Sequence, residues 1–361
     1  MKILITGTAG FIGYHLAEKL INENYEVIGL DHINDYYDID LKYDRLRNHG
    51  IEKEAIRDNV LLQSSKYENY KFIRADLQNK QRLLELFEDN KFDIVINLAA
   101  QAGVRHSLQH PQDYIDYNIT GFLNILEACR RYPVDHLIYA SSSSVYGLNK
   151  DMPFSTSQNI DHPTSLYAVS KKSNELMAHT YAHLFDVPAT GLRFFSVYGT
   201  WGRPDMALFI FTKAMLAGEP ININNYGDMA RDFTYIDDVT ESIRRLIPRP
   251  PTGNKAWDGK DPDPSTAGSP YQLFNVGYNS PVPLMDFVEE IENQLSITAK
   301  KNMRGMQPGD VKETWADSED LYAYIDYEPQ VGIKKGVEKF IKWYKKYYGV
   351  EFKVMPIAED V

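Results

Sequence analysis

The sequence predicts an α/β fold, in which a doubly wound parallel sheet is followed by a smaller C-terminal α/β domain. Three observations support this prediction: an apolar segment at 2–6 leads into a glycine-rich turn, strand-like and helix-like segments alternate up to about residue 195, and this alternation then weakens. Such alternation is typical of parallel sheets that helices cover on both faces. We therefore expect a first domain at 1–195, a second domain at 196–350 that is interleaved with the first, and a tail at 351–361.

The individual elements follow from short apolar segments and from helical spacing. Strands are expected at 2–6, 26–31, 70–74, 93–98, 136–140 and 189–195. Helices are expected at 11–23, 78–90, 111–131 and 165–185, with some helix around 38–58. In the second half, helices are expected at 205–217, 237–246, 283–295 and 334–347. The segment 248–270 is rich in Pro, Gly, Asp and Ser, which predicts a mobile surface loop.

Composition argues against several classes of protein. The net charge of −11 disfavours a nucleic-acid partner, because phosphate neutralisation requires a basic surface. No apolar segment is long enough to span a membrane and the N-terminus lacks a secretory segment, so we expect a cytoplasmic protein. The single cysteine, Cys129, is expected to be a buried small apolar residue. The nine histidines show no metal-binding motif, so no metal site is expected.

Gly7, Gly10 and Gly13 lie between the first expected strand and the first expected helix. In a Rossmann-type fold, the first glycine permits the turn, the second lets the backbone approach a pyrophosphate, and the third packs the helix against the sheet. Asp31 ends the second strand, where a carboxylate can bind both hydroxyls of the adenosine ribose and favours NAD over NADP. A plain tight turn is the alternative, but the strand–turn–helix context argues against it.

Asp76 follows the third expected strand, where it is expected to accept a hydrogen bond from the adenine amino group. The alternative is that Asp76 caps the N-terminus of the next helix. Further residues expected to bind the cofactor are Phe11, Ile12, Leu77, Ala99 and Ala100.

Tyr167 and Lys171 are four residues apart, so a helix places them on one face. A lysine ammonium near the phenol stabilises the phenolate and lowers the tyrosine pKa, which makes Tyr167 a feasible general base. Two other tyrosine–lysine pairs share this spacing, but this pair begins the helix after the fifth strand, on the side expected for the nicotinamide. The serine cluster at 141–144 ends that strand and places Ser142 at the same crevice. Taken alone, the cluster would be interpreted as a plain loop.

Further segments add to these features, namely Asn97 to Ala100, Ser141 to Gly147, Leu192 to Phe195 and Arg231 to Val239. Together they resemble the extended short-chain dehydrogenase/reductase family, and within it the nucleotide-sugar epimerases. The resemblance spans about residues 1–348. Within that group the chain looks most like the branch that acts on UDP-glucuronate, on the strength of segments 34–38, 101–105 and 196–207.

The resemblance implies a UDP-sugar substrate and a tightly held NAD. Tyr167 would take the proton of the sugar 4-hydroxyl while C4 gives a hydride to NAD, and the resulting 4-keto sugar would rotate and be reduced on its other face. Ser142 would hydrogen-bond the 4-oxygen, and Lys171 would hold the nicotinamide ribose. The family usually dimerises through two helices, here 111–131 and 165–185, so a homodimer is expected.

A uronate substrate requires a group that holds its carboxylate, because a 4-keto uronate loses CO2 easily. Arg203 is the candidate, since a guanidinium binds a carboxylate with two hydrogen bonds. The alternative for Arg203 is a surface or dimer salt bridge. Ser143 and Ser196 would add hydroxyl donors. By resemblance, Arg231 would contact the UDP diphosphate, and Asp310 in a Gln-Pro-Gly-Asp segment would contact the uridine.

Three alternatives stay open. An epimerase of neutral UDP-sugars is disfavoured by Arg203. A nucleotide-sugar dehydratase or decarboxylase would place a glutamate just before Val-Tyr-Gly, where this chain has Ser143 and Ser144. A catalytically silent NAD-sensing regulator would usually lose the tyrosine or the lysine of the catalytic pair. Asn97 and His106 depart from the family pattern, in which histidine and tyrosine are common at these positions, and both are expected near the cofactor crevice.

Overall fold

The computed structural model describes residues 1–307 and 309–349, so the expected tail at 351–361 lies outside the described residues. The strands are β1 (Lys2–Thr6), β2 (Glu26–Asp31), β3 (Leu61–Gln63), β4 (Tyr70–Arg74), β5 (Ile94–Asn97), β6 (His136–Ser142), β7 (Ala189–Phe194), β8 (Ser196–Tyr198), β9 (Ile221–Ile223), β10 (Ala230–Tyr235), β11 (Tyr271–Val276), β12 (Pro281–Pro283), β13 (Lys301–Met303) and β14 (Glu313–Thr314). The helices are α1 (Phe11–Asn22), α2 (Ile39–Asn48), α3 (Lys80–Asn90), α4 (Val104–Gln109), α5 (Pro111–Asp113), α6 (Gly121–Arg131), α7 (Leu166–Phe185), α8 (Ala207–Leu216), α9 (Ile236–Leu246), α10 (Leu284–Leu295), α11 (Glu319–Ile325) and α12 (Ile333–Tyr348). A π-helical segment, Tyr114–Thr120, joins α5 to α6.

An eight-stranded sheet forms the centre of the fold, in the order β11-β7-β6-β5-β1-β2-β4-β3. Its neighbouring strands are parallel, except that β3 runs antiparallel to β4. Strands of a sheet that is covered on both faces are apolar along their whole length, and Ile3, Leu4 and Ile5 of β1 are fully buried. The doubly wound parallel sheet predicted from the sequence is confirmed.

The strand order reverses between β1 and β5. From this point, β2, β4 and β3 extend to one side, and β6, β7 and β11 extend to the other. Ligands of open parallel sheets bind outside the carboxyl ends of the strands at such a reversal. The glycine turn after β1 and the segments that follow β5 and β6 therefore share one crevice.

The structure departs from the expected elements at several positions. The segment at 38–58 contains α2, which ends at Asn48, and the expected helix at 111–131 includes the π-helical segment. β11 was not expected, although its sequence Tyr-Gln-Leu-Phe-Asn-Val contains residues that favour strands. It follows the Pro- and Gly-rich segment at 248–270 and pairs in parallel with β7. The central sheet thus takes an edge strand from the second half of the chain.

The C-terminal part of the chain forms two smaller sheets. β10 pairs with β8, β12 and β14, and β9 pairs with β13. The ring of Phe233 in β10 stacks on the ring of Phe287 in α10, with centroids 4.4 Å apart. Because β8 follows directly after β7, the first of these sheets begins beside the carboxyl ends of the central strands.

Two sequence-based expectations concern burial. Cys129 on α6 is 1% exposed, as expected of a small apolar core residue. Within residues 1–307 and 309–349, no helix combines the length and the apolar character that crossing a bilayer requires.

Candidate active site

The turn between β1 and α1 has no space for side chains. Gly7 has a φ of +79°, and a Cβ atom there would lie 2.9 Å from the backbone nitrogen of Ala99. A Cβ atom on Gly13 would lie 2.1 Å from the carbonyl oxygen of Gly7. Gly10 begins α1 without a side-chain cap, so the first helical turn presents its backbone N–H groups to an anion. This cradle fits the pyrophosphate of a dinucleotide.

Asp31, the last residue of β2, holds the adjoining backbone in place. One carboxylate oxygen accepts a hydrogen bond from the backbone N–H of Ala9 at 3.0 Å, and the other accepts from that of Ile33 at 2.8 Å. The residue is 9% exposed. Its carboxylate therefore lies between the glycine turn and the next loop, where the sequence predicted a contact to the ribose.

A cavity of about 250 Å³ lies at the carboxyl ends of the central strands. It brings together most of the residues that the sequence assigned to the cofactor or to catalysis. Those on its wall are Gly7, Gly10, Phe11, Ile12, Gly13, Asp31, Ala99, Ala100, Ser142, Tyr167 and Lys171.

Asp76 and Leu77 are not among the described residues that border this cavity. Asp76 accepts a hydrogen bond from the backbone N–H of Gln78 at 2.9 Å. Asn79 caps α3 instead, by accepting from the backbone N–H of Arg82 at 3.1 Å. The helix-cap role weighed for Asp76 is therefore wrong, and the contacts of Asp76 and Leu77 with the cofactor stay predictions.

Tyr167 and Lys171 come together at the start of α7, as the sequence predicted. Ser165 caps this helix by accepting from the backbone N–H of Ala168 at 3.2 Å, which makes Tyr167 the second helical residue. Lys171 lies one turn further along, and its Nζ donates to the carbonyl oxygen of Ala140 at 2.9 Å. The helix N-terminus thus presents a phenol and an ammonium beside the end of β6.

Burial dominates the titration of this pair. It raises the pKa of Tyr167, and the Ser142 hydrogen bond and the charge of Arg203 offset that rise only in part. The expectation of a lowered pKa for Tyr167 is therefore wrong, because burial of the phenol outweighs the groups that favour its charged form. The Lys171 ammonium bonds to the carbonyl oxygen of Ala140. Burial also lowers the pKa of Lys171 to about 8, and the charge of Glu175 opposes this shift.

Ser142 ends β6 and is 7% exposed. Its Oγ accepts from the backbone N–H of Ser144 at 3.2 Å and donates to the Oγ of Ser144 at 3.1 Å. These bonds fix the hydroxyl near Tyr167. Ser143 begins the following 3₁₀ turn and is not among the described residues that border the cavity, so its contact with substrate stays a prediction.

Sequence reasoning missed a buried ion pair between α7 and β7. Glu175 accepts from Arg193 through both carboxylate oxygens, to Nε and Nη2 at 2.9 Å each, and from the Oγ of Ser141 at 2.6 Å. The two charged side chains are 1% and 4% exposed. Glu175 lies one turn beyond Lys171, and Ser141 precedes Ser142. Glu175 therefore ties α7 to the end of β6 that holds Ser142. The continued four-residue spacing from Tyr167 and Lys171 was the signal that could have found it.

A second cavity of about 240 Å³ adjoins the first. Phe11, Val197, Arg203 and Met206 border both, so a ligand in the second cavity can reach the groups around Tyr167. The residues expected to bind substrate that border this second cavity are Ser196, Arg203, Arg231 and Asp310.

Arg203 already has a carboxylate partner in the same chain. Its Nε and Nη2 donate to the two oxygens of Asp205 at 3.0 and 2.5 Å. The hydroxyl of Tyr36 donates to the same carboxylate at 3.1 Å. The salt bridge that the sequence analysis weighed for Arg203 therefore exists, but with a neighbour two residues away. The guanidinium still faces both cavities.

Arg231 and Asp310 lie on the far wall of the second cavity. Arg231 donates to the carbonyl oxygens of Ala230 at 2.7 Å and Val311 at 2.6 Å. Asp310 accepts from Arg105 at 2.8 Å and from Asn224 at 3.1 Å. Sequence reasoning did not assign Arg105 or Asn224 to the site. Residue 308 of the expected Gln-Pro-Gly-Asp segment lies outside the described residues.

Comparison with known proteins agrees with this geometry. Residues 3–258 match the NAD dependent epimerase/dehydratase family. Protein CapI of Staphylococcus aureus is 56% identical over 348 residues, which are 96% of this chain and 99% of that protein. UDP-glucuronate 4-epimerase 4 of Arabidopsis thaliana is 42% identical over 355 residues, which are 96% of this chain and 76% of that protein.

Among solved structures, the UDP-glucuronic acid 4-epimerase of Bacillus cereus in complex with UDP-glucuronic acid and NAD is similar to this chain. It is 33% identical, the alignment covers 96% of this chain and 100% of that chain, and the TM-score is 0.81. The family match confirms the resemblance drawn from the sequence, together with NAD as the cofactor. The chain belongs to the NAD dependent epimerase/dehydratase family.

Proposed function

We propose that the chain catalyses the NAD-dependent 4-epimerisation of UDP-glucuronate to UDP-galacturonate. The observation that supports this most strongly is the position of Arg203, on the wall shared by the cavity of Tyr167 and the adjoining cavity. A guanidinium at that boundary meets the carboxylate of a uronic acid whose 4-hydroxyl lies near the phenol. The named activities of similar proteins point to the same substrate.

Some residues of the first cavity bind the cofactor, and others transfer the proton. The glycine turn and Asp31 hold the dinucleotide, and NAD, when bound there, supplies the hydride acceptor and donor. Tyr167 removes the proton of the sugar 4-hydroxyl and returns a proton after the 4-keto sugar has turned over in the pocket. Ser142 hydrogen-bonds the 4-oxygen, and the protonated Lys171 stabilises the phenolate.

The second cavity holds the rest of the substrate. Arg231 contacts the diphosphate, and Asp310 contacts the uridine. Asp205 occupies Nε and Nη2 of Arg203, which leaves Nη1 as the donor for the substrate carboxylate, with Ser196 nearby. Apart from Phe11 and Arg105, the residues that line this cavity lie at or beyond Ser196, which supports the proposed division into a cofactor domain and a nucleotide-sugar domain.

A dehydratase or decarboxylase fits the site less well. Abstraction of a proton from C5 requires a carboxylate near the sugar, and Asp31 is the only carboxylate among the described residues on the wall of the first cavity. Asp31 lies at the end of β2, bonded to the glycine turn and to Ile33. The group next to Tyr167 is instead the hydroxyl of Ser142.

Replacing Tyr167 by phenylalanine tests the proposed base. Turnover of UDP-glucuronate should be lost while bound NAD is retained, because the ring still fills its place beside Tyr114, with centroids 6.0 Å apart. Tyr67 has the same spacing to Lys71 but lies outside the cavity, so Tyr67→Phe is the matched control and should keep the wild-type rate. A Tyr167→Phe variant with near-normal turnover would refute the assignment.

Replacing Arg203 by lysine tests the choice of substrate. A lysine keeps a charge but cannot bond to Asp205 through two nitrogens and still offer a third to the substrate carboxylate. The rate with UDP-glucuronate should therefore fall much further than the rate with UDP-glucose. Arg244, which pairs with Glu241 on α9, provides a control substitution away from both cavities. Equal losses with both substrates would show that Arg203 does not hold the carboxylate.

We also propose that the chain forms a homodimer through α7 and the helical stretch that ends in α6. Both helices leave large apolar side chains exposed, and two chains packed through them would cover these surfaces. Leu176→Asp should shift the sedimentation coefficient from dimer to monomer, and an unchanged value would place the interface elsewhere. The exposed side chains are Ile115 (36%), Leu123 (39%), Leu176 (60%), Leu184 (60%) and Phe185 (45%).

A further inference from the structure

Two histidines and an aspartate meet where α4 turns into α5. His106 lies on α4, His110 follows that helix, and Asp113 ends α5. The imidazole rings of His106 and His110 are stacked with centroids 4.4 Å apart. Nε2 of His106 lies 3.1 Å from a carboxylate oxygen of Asp113. One ligand atom from each of the three residues lies within 4.8 Å of the other two.

This spacing suits a metal ion of the zinc class. In a tetrahedral site with bonds of about 2.0–2.1 Å, neighbouring ligand atoms lie about 3.3 Å apart. Nε2 of His106 and the carboxylate oxygen of Asp113 are already 3.1 Å apart. Rotation of the exposed His110 ring would bring its ligand nitrogen, which lies within 4.8 Å of both, to the same spacing. Imidazole nitrogen with carboxylate oxygen is a ligand set that zinc and its neighbours accept, and three protein ligands leave a fourth position for water.

The surroundings hold these ligands while leaving the site open to solvent. The ring of Tyr36 packs edge-on against His106, with centroids 5.0 Å apart. The hydroxyl of Tyr114 donates to the carbonyl oxygen of Gly103 at 2.6 Å and lies 2.9 Å from that of Ala102, which anchors the start of α4. His106 and Asp113 are 23% and 39% exposed. An ion can therefore enter from solvent without any rearrangement of the backbone.

We propose that His106, His110 and Asp113 bind one divalent transition-metal ion of the zinc class. The ion would bridge α4 and α5, which the hydrogen bond between His106 and Asp113 now joins. α4 also contains Arg105, which pairs with Asp310 on the wall of the second cavity at 2.8 Å. Binding therefore fixes the helix that supplies part of that wall. The inference does not depend on which sugar the enzyme converts.

The chain offers a matched control. His179 and His183 on α7 have the same four-residue spacing as His106 and His110, and their rings are nearly parallel with centroids 6.5 Å apart. Within the described part of the chain, no carboxylate joins them in a three-ligand group. If two histidines were sufficient, the ion would bind equally well to both pairs. The proposed site also requires Asp113.

Titration of the EDTA-treated full-length protein with zinc chloride, followed by calorimetry, tests the proposal. We expect one equivalent per chain, and a visible absorption band when cobalt(II) replaces zinc. His110→Ala and Asp113→Asn should each weaken zinc binding by about tenfold or more. Loss of a residue that only supports a metal ligand already lowers metal affinity by about 10–100-fold. His179→Ala/His183→Ala should bind as the wild type does.

Three results would overturn the proposal. They are the absence of stoichiometric binding, unchanged affinity in both His110→Ala and Asp113→Asn, and loss of binding in the α7 control. His110 is exposed and the chosen variants leave the Tyr36 contact intact, so each variant is expected to fold. Circular dichroism and retained NAD binding check this directly.

Discussion

The Glu175–Arg193 ion pair allows a quantitative prediction. Glu175→Leu removes the acceptor of two guanidinium bonds and of the Ser141 hydroxyl. The buried guanidinium of Arg193 would keep its bonds to the hydroxyl of Tyr146 at 3.1 Å and to the carbonyl oxygen of Thr156 at 3.5 Å, but it would lose its carboxylate partner. Removing one partner of a buried ion pair lowers the free energy of unfolding by about 3–5 kcal/mol, because an uncompensated charge stays in the interior. We therefore expect a large drop in the denaturant midpoint.

The double variant Glu175→Leu/Arg193→Met separates this cause from loss of packing. Replacing a buried pair by apolar side chains of similar volume is often neutral, so the double variant should recover most of the lost stability. Unfolding in urea is followed at one fixed concentration of NAD, since bound cofactor shifts the midpoint. Glu338→Leu, which removes one partner of the exposed Lys342 pair, is the control and should change little. Additive losses in the double variant would refute the reasoning.

The double variant also tests the electrostatics of Lys171. Burial lowers the pKa of Lys171 to about 8, and Glu175 opposes that shift. Without the carboxylate the pKa falls further, so Lys171 loses its proton at a lower pH. In the proposed mechanism the protonated lysine stabilises the phenolate, so the alkaline limb of kcat/KM should move to lower pH. An unchanged alkaline limb in a folded variant that binds NAD would contradict this prediction.

Three further predictions follow from single side chains. Gly13→Ala should abolish NAD binding, measured by fluorescence titration, because its Cβ would lie 2.1 Å from the Gly7 carbonyl oxygen; retained affinity would contradict the tight turn. Asp31→Ala should reduce the preference for NAD over NADP, measured as the ratio of dissociation constants, since the carboxylate repels a 2′-phosphate; an unchanged ratio would count against its ribose contact. Burial lowers the pKa of His49 from 6.5 to about 3, so the unfolded chain binds more protons between these values and stability falls as the pH drops below 6.5. His49→Phe should therefore have a higher urea midpoint than the wild type at pH 5. An equal difference in midpoint at pH 5 and pH 8 would show that protonation of His49 is not the cause.

Local patterns explain what the sequence could predict. The glycine turn, Asp31 and the Tyr167–Lys171 spacing each depend on residues within one strand–turn–helix unit, and the structure brings them to one cavity. Their arrangement follows from the parallel sheet, whose strand order reverses where the sequence placed the crevice.

Several of the features that the sequence did not predict depend on contacts between residues that lie far apart in the chain. Arg193 pairs with Glu175 across β7 and α7, and β11 joins the central sheet from the second half of the chain. The pKa of Tyr167 is governed by burial, which a four-residue spacing does not reveal. A salt bridge was the alternative role for Arg203, but the sequence did not identify Asp205 as its partner.

Incubation of the purified protein with UDP-glucuronate, without added NAD, tests the proposed activity most directly. Chromatography resolves the nucleotide sugars, and trapped CO2 is measured in parallel. The proposal predicts that UDP-galacturonate forms, that no CO2 is released, and that Tyr167→Phe is inactive. Release of CO2 with a UDP-pentose, or conversion of UDP-glucose but not of UDP-glucuronate, would contradict it.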